Sequence, residues 1–162
     1  MATLARPKGP DYKFKSKNKW FPEAASQTFV KGDWVYLASG KLTICAAAGN
    51  DVGAISILGR AAADATGVTD TMLPVEVADD NSEWLFPVYH STPASAVRAV
   101  TDVGATWPLR NHTGNIWCLN KENNGTNDAF VVKSLDYATY PDLTEQYATV
   151  WANVLAATRQ VL

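Results

Sequence analysis

Short apolar runs separated by polar turns recur along this chain and predict a succession of β-strands. The pattern is clearest in residues 34–65, which read WVYLASGKLTICAAAGNDVGAISILGRAAADA. Three apolar runs follow one another there, at 34–37, 42–45 and 54–58. A Ser39–Gly40 turn divides the first two runs, and a polar loop at 49–51 precedes the third. Strand, turn, strand, loop and strand within about thirty residues predict a compact β meander.

Further apolar runs predict strands in the remainder of the chain. They lie at 72–77, 83–90, 106–109, 116–119 and 129–135. Asn124–Gly125 lies between the last two and is the strongest hairpin signal in the chain, so we expect those two strands to pair. A short helix is predicted at Ser91–Val100, because Thr92 is a suitable N-cap and Pro93 is tolerated in a first helical turn.

The segment from Gln146 to Leu162 fits both a helical stripe of apolar residues and a two-faced strand. Alanine content favours the helix, whereas β-branched residues and the strand-rich context favour a strand at Tyr147–Leu155. We predict the strand. The expected fold is therefore mainly β, with a compact β-barrel or β-tulip-like body, one short helix and an extended N-terminal arm.

The composition of residues 1–28 differs from that of the rest, so we expect an extended basic arm there and a β-rich domain at 29–162. The first 20 residues carry six basic side chains and one acidic side chain, a local charge of +5. The other residues carry 8 basic and 15 acidic side chains, a charge of −7, so the overall charge of −2 hides a strong asymmetry. Prolines at 7, 10 and 22 argue against helix in the arm.

The basic arm is the candidate binding segment. Its expected contact residues are Arg6, Lys8, Tyr12, Lys13, Phe14, Lys15, Lys17, Lys19 and Trp20. Lysines occupy alternate positions between Tyr12 and Trp20, so an extended chain shows lysines on one side and aromatic residues on the other. An arm lying on a partner's surface and a solvated basic tail both fit this pattern. Nucleic-acid binding is not favoured, because the patch is short and no nucleic-acid-binding motif accompanies it.

Composition sets the broad class of the protein. Of 162 residues, 47% are hydrophobic and 19% are charged, so the chain can bury a sizeable core. We expect no membrane partner and folding in a cytoplasm, because no apolar run approaches about 20 residues and no signal-peptide pattern opens the chain. Cys45 and Cys118 are expected to be reduced thiols in apolar strands, because two cysteines alone make neither a disulfide framework nor a zinc site.

Catalytic and cofactor motifs are lacking in the sequence. His90 and His112 stand beside turn-like residues, without a nucleophile and base at a recognisable spacing. Neither a Gly-x-Ser-x-Gly nucleophile motif nor a phosphate-binding glycine loop occurs. Asp79, Asn81 and Glu83 alternate as calcium ligands do, but the glycine and distal glutamate of a calcium loop are missing. We therefore expect no enzyme activity, no cofactor and no metal.

A particular order of glycines, alanines and strands links the chain to a known family. A strand that reaches Leu37 is followed by the segments SGKL at 39–42, GND at 49–51, GAISILG at 53–59, AAADAT at 61–66 and LPVEV at 73–77. In this layout, residues 32–90 of the chain resemble the head decoration (cement) proteins of tailed bacteriophages, including the lambda-like type. Residues 100–162 exceed the shortest family members, and the resemblance gives them no role.

The resemblance implies a small β-rich structural protein, often trimeric, on the capsid exterior of the virion. Such proteins are made in the host cytoplasm, bind the major capsid protein at three-fold and quasi-three-fold positions after expansion, and stabilise the shell. In the lambda-like type the N-terminal arm orders on the capsid and adds to a capsid sheet. Residues 1–28 are the counterpart of that arm, although their lysine richness belongs to this sequence.

Two other classes of protein also fit the sequence. One is another virion or cell-surface interaction module, such as a head fibre base, a tail component or a carbohydrate-binding β domain. Exposed Trp20, Trp84 or Trp107 would suit sugar stacking in such a module. The other is a small β-barrel enzyme, which requires His90 or His112 to meet a carboxylate or a cysteine in a pocket.

Overall fold

The computed structural model describes Leu4, residues 18–113 and residues 115–160. The strands within these residues are β1 (Asn18–Pro22), β2 (Trp34–Ala38), β3 (Lys41–Ile44), β4 (Asn50–Asp51), β5 (Gly59–Ala61), β6 (Met72–Val77), β7 (Trp84–Tyr89), β8 (Thr106–Trp107), β9 (Leu109–His112), β10 (Ile116–Asn120), β11 (Phe130–Leu135) and β12 (Thr149–Val154). Short 3₁₀ turns lie at Pro93–Ser95, Val100–Asp102 and Lys121–Asn123.

The protein is mainly β, as the sequence predicts. Strands make up 40% of the structure and helical turns 6%, and no helix reaches seven residues within the described part of the chain. None of its helical turns is long and apolar enough to cross a membrane.

The first sheet contains five antiparallel strands in the order β1-β6-β5-β2-β3. It curls into a half-barrel, because the chain leaving β1 returns to the opposite edge of the sheet. There Glu23 forms a bridge with Leu42, and the Ala24 N–H donates to the Leu42 carbonyl at 3.1 Å. The curled sheet encloses a small core that includes Phe29, Val35 and Val75.

The second sheet contains seven strands in the order β4-β9-β10-β7-β12-β11-β8. Its pairings are antiparallel except for β7 with β10, which run parallel. This sheet supplies most of the larger core, which includes Phe86, Leu119 and Val150.

Strand β2 connects the two cores because both of its faces are covered. Val35 faces the core of the half-barrel, while Trp34 on the other face packs into the larger core. The Trp34 ring lies 5.0 Å from the rings of both Trp84 and Phe130, edge to face in each case. Such aromatic pairs add about 0.5–1.5 kcal/mol each beyond the area that they bury.

The C-terminal residues fasten the half-barrel to the rest of the molecule. The Ile57 N–H donates to the Thr158 carbonyl, and the Gln160 N–H donates to the Ile57 carbonyl. The Gln160 side chain then pairs with the main chain of Leu37, accepting at 2.8 Å and donating at 3.4 Å. Its amide thus takes the place of a neighbouring strand beside β2.

Several strand predictions are confirmed. The β2–β3 hairpin turns at Ser39 and Gly40, whose φ angles of 50° and 79° are those of a tight hairpin turn. The C-terminal segment also forms a strand, β12, at Thr149–Val154 within the predicted Tyr147–Leu155.

Three local predictions are wrong. The third strand of the predicted meander lies at Gly59–Ala61 and not at 54–58, and it pairs with β2 and β6. The strands on either side of Asn124–Gly125 do not form a hairpin, because β7 and β12 lie between β10 and β11. The predicted helix at Ser91–Val100 is replaced by short 3₁₀ turns, because Thr92 makes no side-chain cap and the segment has no buried apolar stripe.

Gly59 is expected to tolerate no larger residue. A Cβ atom at this position would lie 2.1 Å from the carbonyl oxygen of Glu76, which belongs to the paired strand β6. We expect Gly59→Ala to lower the free energy of unfolding by about 2–3 kcal/mol, since the two strands must move apart. Urea unfolding measures this change. Gly53→Ala is the control, because its Cβ meets no heavy atom within 4 Å, and an equal loss in both variants would contradict the explanation.

Candidate interaction surfaces

The structure describes two of the expected contact residues of the arm, Lys19 and Trp20, and both lie in β1. The others, Arg6, Lys8, Tyr12, Lys13, Phe14, Lys15 and Lys17, lie outside the described residues. Residues 18–22 are paired with β6 throughout. The last part of the expected arm is therefore built into the first sheet.

Trp20 lies on the outer face of this sheet and is 61% exposed. It stands opposite Pro74, and the neighbouring pair on the same face is Pro22 with Met72, which is 49% exposed. Lys19 and Phe21 point to the other face, where Phe21 packs against the core of the half-barrel. The outer face of β1 and β6 therefore presents a small apolar patch around Trp20.

Strand β1 is also a sheet edge, and among the described residues no strand pairs with its outer side. The Pro74 carbonyl accepts from Ala62 on the β5 side of β6, so Trp20 and Pro74 form a pair without mutual hydrogen bonds. The N–H and C=O of Trp20 consequently point away from β6, towards the outside of the sheet. Such groups can pair with an added strand from another chain.

The other sheet edges within the described residues are protected. Ala24 bonds to Leu42 on the outer side of β3, and the Gln27 side chain accepts from the Ile44 N–H at 3.2 Å. The edge strands of the second sheet, β4 and β8, are two residues long. Short or covered edges protect a sheet against unwanted pairing. Within the described part of the chain, β1 is the edge strand without such protection.

Glu23 anchors the chain directly after β1. Its side chain is fully buried and accepts from the Thr66 N–H at 3.0 Å, the Thr66 hydroxyl at 2.6 Å and the Gly67 N–H at 2.7 Å. Its backbone N–H donates to Thr71 and its carbonyl accepts from Asp70. Sequence reasoning missed this anchor, although Glu23 is the one acidic residue between Asp11 and Asp33.

Burial of the Glu23 carboxyl favours its protonated form, but the hydrogen bonds from Thr66 and Gly67 outweigh burial and hold its pKa below the ordinary value. A depressed pKa in the folded state stabilises the fold above the unfolded pKa. This stabilisation is lost as the pH falls through the folded pKa.

A polar cluster lies at the β4 edge of the second sheet. The Asp51 carboxylate accepts from Arg110 at 2.8 Å, from Asn120 at 2.9 Å and from Asn123 at 2.5 Å. Burial raises the pKa of Asp51, but these hydrogen bonds and the Arg110 charge hold it below its ordinary value. With its acceptor sites occupied by donors of the protein itself, Asp51 joins the turn at 121–123 to β4 and β9.

The histidines make structural contacts beside this cluster. The His112 ring lies 5.2 Å from the Tyr89 ring. The Arg110 guanidinium lies 4.8 Å from the Tyr89 ring. Burial lowers the pKa of His112, and the charge of Arg110 lowers it further. His90 accepts from the Thr92 N–H at 3.0 Å. These contacts give neither histidine an assigned catalytic partner, and the lack of enzyme activity stays a prediction.

The two cysteines and Asp79, which were the other candidates for chemistry or metal binding, also make structural contacts. Cys45 and Cys118 are buried free thiols, and burial raises the pKa of both. Asp79 accepts from the Asn81 N–H and the Ser82 hydroxyl, which makes it the cap of a turn. In the described ranges, no group of three or more His, Cys, Asp or Glu side chains is arranged to hold a metal ion.

The tryptophans suggested for sugar stacking are mostly buried. Trp84 is 2% exposed and Trp107 is 1% exposed, both within the larger core. Trp20 is the member of that set with an accessible ring. A sugar site that uses Trp84 or Trp107 would require the core to open.

The loop between β11 and β12, residues 136–148, is built around a buried arginine, and we call it the tyrosine loop. Arg98 is 2% exposed and donates to the carbonyls of Asp136 at 2.7 Å, Asp142 at 3.0 Å and Tyr140. Burial lowers the pKa of Arg98, and nearby Asp136 opposes that shift. Sequence reasoning placed Arg98 in a helix and missed this role, although it is the one Lys or Arg between Arg60 and Arg110.

Comparisons with protein-family models, with curated proteins and with solved structures gave no match to this chain.

Replacing Glu23 should reduce stability in a pH-dependent way. We expect Glu23→Gln to lower the free energy of unfolding by about 1–2 kcal/mol at pH 7, since it weakens the bonds to Thr66 and Gly67. The difference from the natural protein should shrink as the pH falls below the ordinary carboxyl pKa of 4.5 and through the lower folded pKa of Glu23. Thermal unfolding at several pH values measures this. Glu145→Gln, on an exposed site, is the control, and a difference that stays constant with pH would argue against the anchor.

Proposed function

We propose that this protein is a capsid decoration protein of a tailed bacteriophage, which binds the outer capsid surface as trimers and stabilises the shell. The observation that carries the proposal is the open edge of β1. That edge presents the exposed ring of Trp20 and is the direct continuation of the lysine-rich segment. A partner can therefore be bound at one continuous stretch of chain by main-chain pairing, an aromatic contact and charge.

The rest of the fold suits a protein that acts by contact. Two sheets with buried aromatic residues form a rigid body, and Glu23 fixes the point at which β1 joins it. Main-chain pairing at a free edge tolerates varied side chains in the partner strand. Many copies on a symmetric shell gain avidity, so each single contact can be weak.

The charge distribution supports an acidic partner surface. The first 20 residues carry +5 and the remainder carries −7. A capsid exterior rich in carboxylates would attract the arm, and salt would weaken that attraction. The major capsid protein and further copies of this chain are thus the proposed partners, on the exterior of the virion.

The open edge of β1 and its exposed aromatic residue also fit other virion interaction modules. A head fibre base or a tail component would use β1 in the same way on a different partner. A carbohydrate-binding role receives less support, because Trp84 and Trp107 are buried.

Trp20 is expected to dominate capsid binding. Trp20→Ala should weaken binding to purified expanded capsids about tenfold or more, because exposed aromatic anchors contribute disproportionately to interfaces. Co-sedimentation over a concentration series measures the affinity. Val68→Ala is the matched control, since Val68 is also 61% exposed but lies outside β1. Equal binding by the natural protein and Trp20→Ala would contradict the proposal.

Removing residues 2–17 tests the arm while leaving β1 in place. The deletion also removes the buried side chain of Leu4, so we expect a folded but somewhat less stable protein. It should no longer sediment with expanded capsids at physiological salt, since the charge and reach of the arm are gone. The cut ends at residue 17 because residues 18–22 pair with β6. Circular dichroism reports whether the fold survives. Undiminished capsid binding by the folded, truncated protein would exclude the arm.

A further inference from the structure

The tyrosine loop has the character of a protein interaction surface. It joins neighbouring strands over residues 136–148, whereas most connections have about 4–6 residues, and long ordered loops are usually functional. Tyr137 is 50% exposed, and Tyr140 and Tyr147 are partly exposed. Tyrosine is enriched at binding surfaces because it gives a large contact area at a small cost in conformational entropy.

The loop is held in one conformation before any partner arrives. Arg98 binds three of its carbonyls, and the Tyr147 N–H donates to Ala96 at 2.7 Å. Asp136 accepts from the Thr149 hydroxyl at 2.7 Å, and Asp142 accepts from the Thr144 N–H and hydroxyl. A preorganised surface loses little entropy on binding.

The exposed charges of the loop are negative. Asp142 and Glu145 are exposed, and the sequence has no lysine or arginine between Lys133 and Arg159. The complementary chemistry is an extended basic segment, which carboxylates attract. The Arg98 guanidinium lies 5.6 Å from the Tyr137 ring and 5.9 Å from the Tyr140 ring, so a cation of the segment would lie on the ring face away from Arg98. The same chain carries such a segment, with six basic residues among its first 20.

We propose that the tyrosine loop of one copy binds the lysine-rich N-terminal segment of a second copy. The segment from residue 5 to residue 17 lies between Leu4, which is buried, and Asn18 at the start of β1. With both ends held, it can extend about 20 Å, far enough to touch a neighbouring molecule. This inference rests on the proposed function in one respect, that copies of the chain associate. It names the surface and the segment that join them.

A pair of complementary full-length variants tests the proposal. The arm variant Lys13→Glu/Lys15→Glu and the loop variant Asp142→Asn/Glu145→Lys each place like charges on both partners. We expect each variant alone to self-associate about tenfold more weakly than the natural protein, and a 1:1 mixture to recover the association. Size-exclusion chromatography with light scattering at low salt measures the mass, and circular dichroism confirms the fold.

Matched variants separate this contact from a general charge effect. Asp142→Asn/Glu145→Gln should weaken association. Asp79→Asn/Asp80→Asn makes the same change of charge at another exposed turn and should leave association unchanged, although it removes the Asp80–Arg159 ion pair. Tyr137→Phe should retain association and Tyr137→Ala should lose it, because the ring face binds the cation.

Three results would overturn the inference. They are a natural protein that is monomeric over the whole concentration range, variants whose mass matches that of the natural protein, and a mixture that fails to recover association. A segment that docks on the loop of its own chain would give the second result. Capsid co-sedimentation of the loop variant distinguishes the two proposals. Lost self-association with intact capsid binding is compatible with both proposals. Intact self-association without capsid binding refutes the proposed function alone.

Discussion

The fold depends on β2 being covered on both faces. A strand with one face in solvent buries only every second residue. In β2, by contrast, the adjacent residues Trp34 and Val35 are both buried, each in a different core. The two cores therefore meet at one strand of the half-barrel, and they cannot separate without exposing Trp34 and the rings around it. Asp33 strengthens the same junction, because its buried carboxylate accepts from the Trp117 indole of β10 at 2.8 Å. The two cores are therefore joined into one body at β2.

Buried charges hold the segments that are not strands. Glu23 is held by donors of the 66–67 loop, and Arg98 is held by carbonyls of the tyrosine loop. A buried charge costs several kcal/mol unless hydrogen bonds compensate it, so each anchor favours one arrangement of its loop strongly over others. The two proposed contact surfaces, the β1 edge and the tyrosine loop, each adjoin one of these anchors.

The sequence was a reliable guide wherever structure depends on neighbouring residues. The runs at β2, β3, β6 and β7 and the Ser39–Gly40 turn could be predicted because apolar patterning and turn chemistry act over a few residues. The pairing of β10 and β11 could not, because Asn124–Gly125 favours a local hairpin while strands distant in sequence take the neighbouring places. The anchors were missed for the same reason, since the partners of Glu23 lie 43 and 44 residues away.

The Gln160 side chain has a consequence for how the molecule is made. It bonds to Leu37 across 123 residues of sequence, and Thr158 bonds to Ile57. Because Gln160 follows Leu37 by 123 residues, these bonds can form only after the chain has been made as far as residue 160. Until then, the main-chain N–H and C=O of Leu37 in β2 lack their Gln160 partner. Contacts so distant in sequence also form slowly. Newly made chains therefore pass through a stage in which unpaired strand edges are open to aggregation.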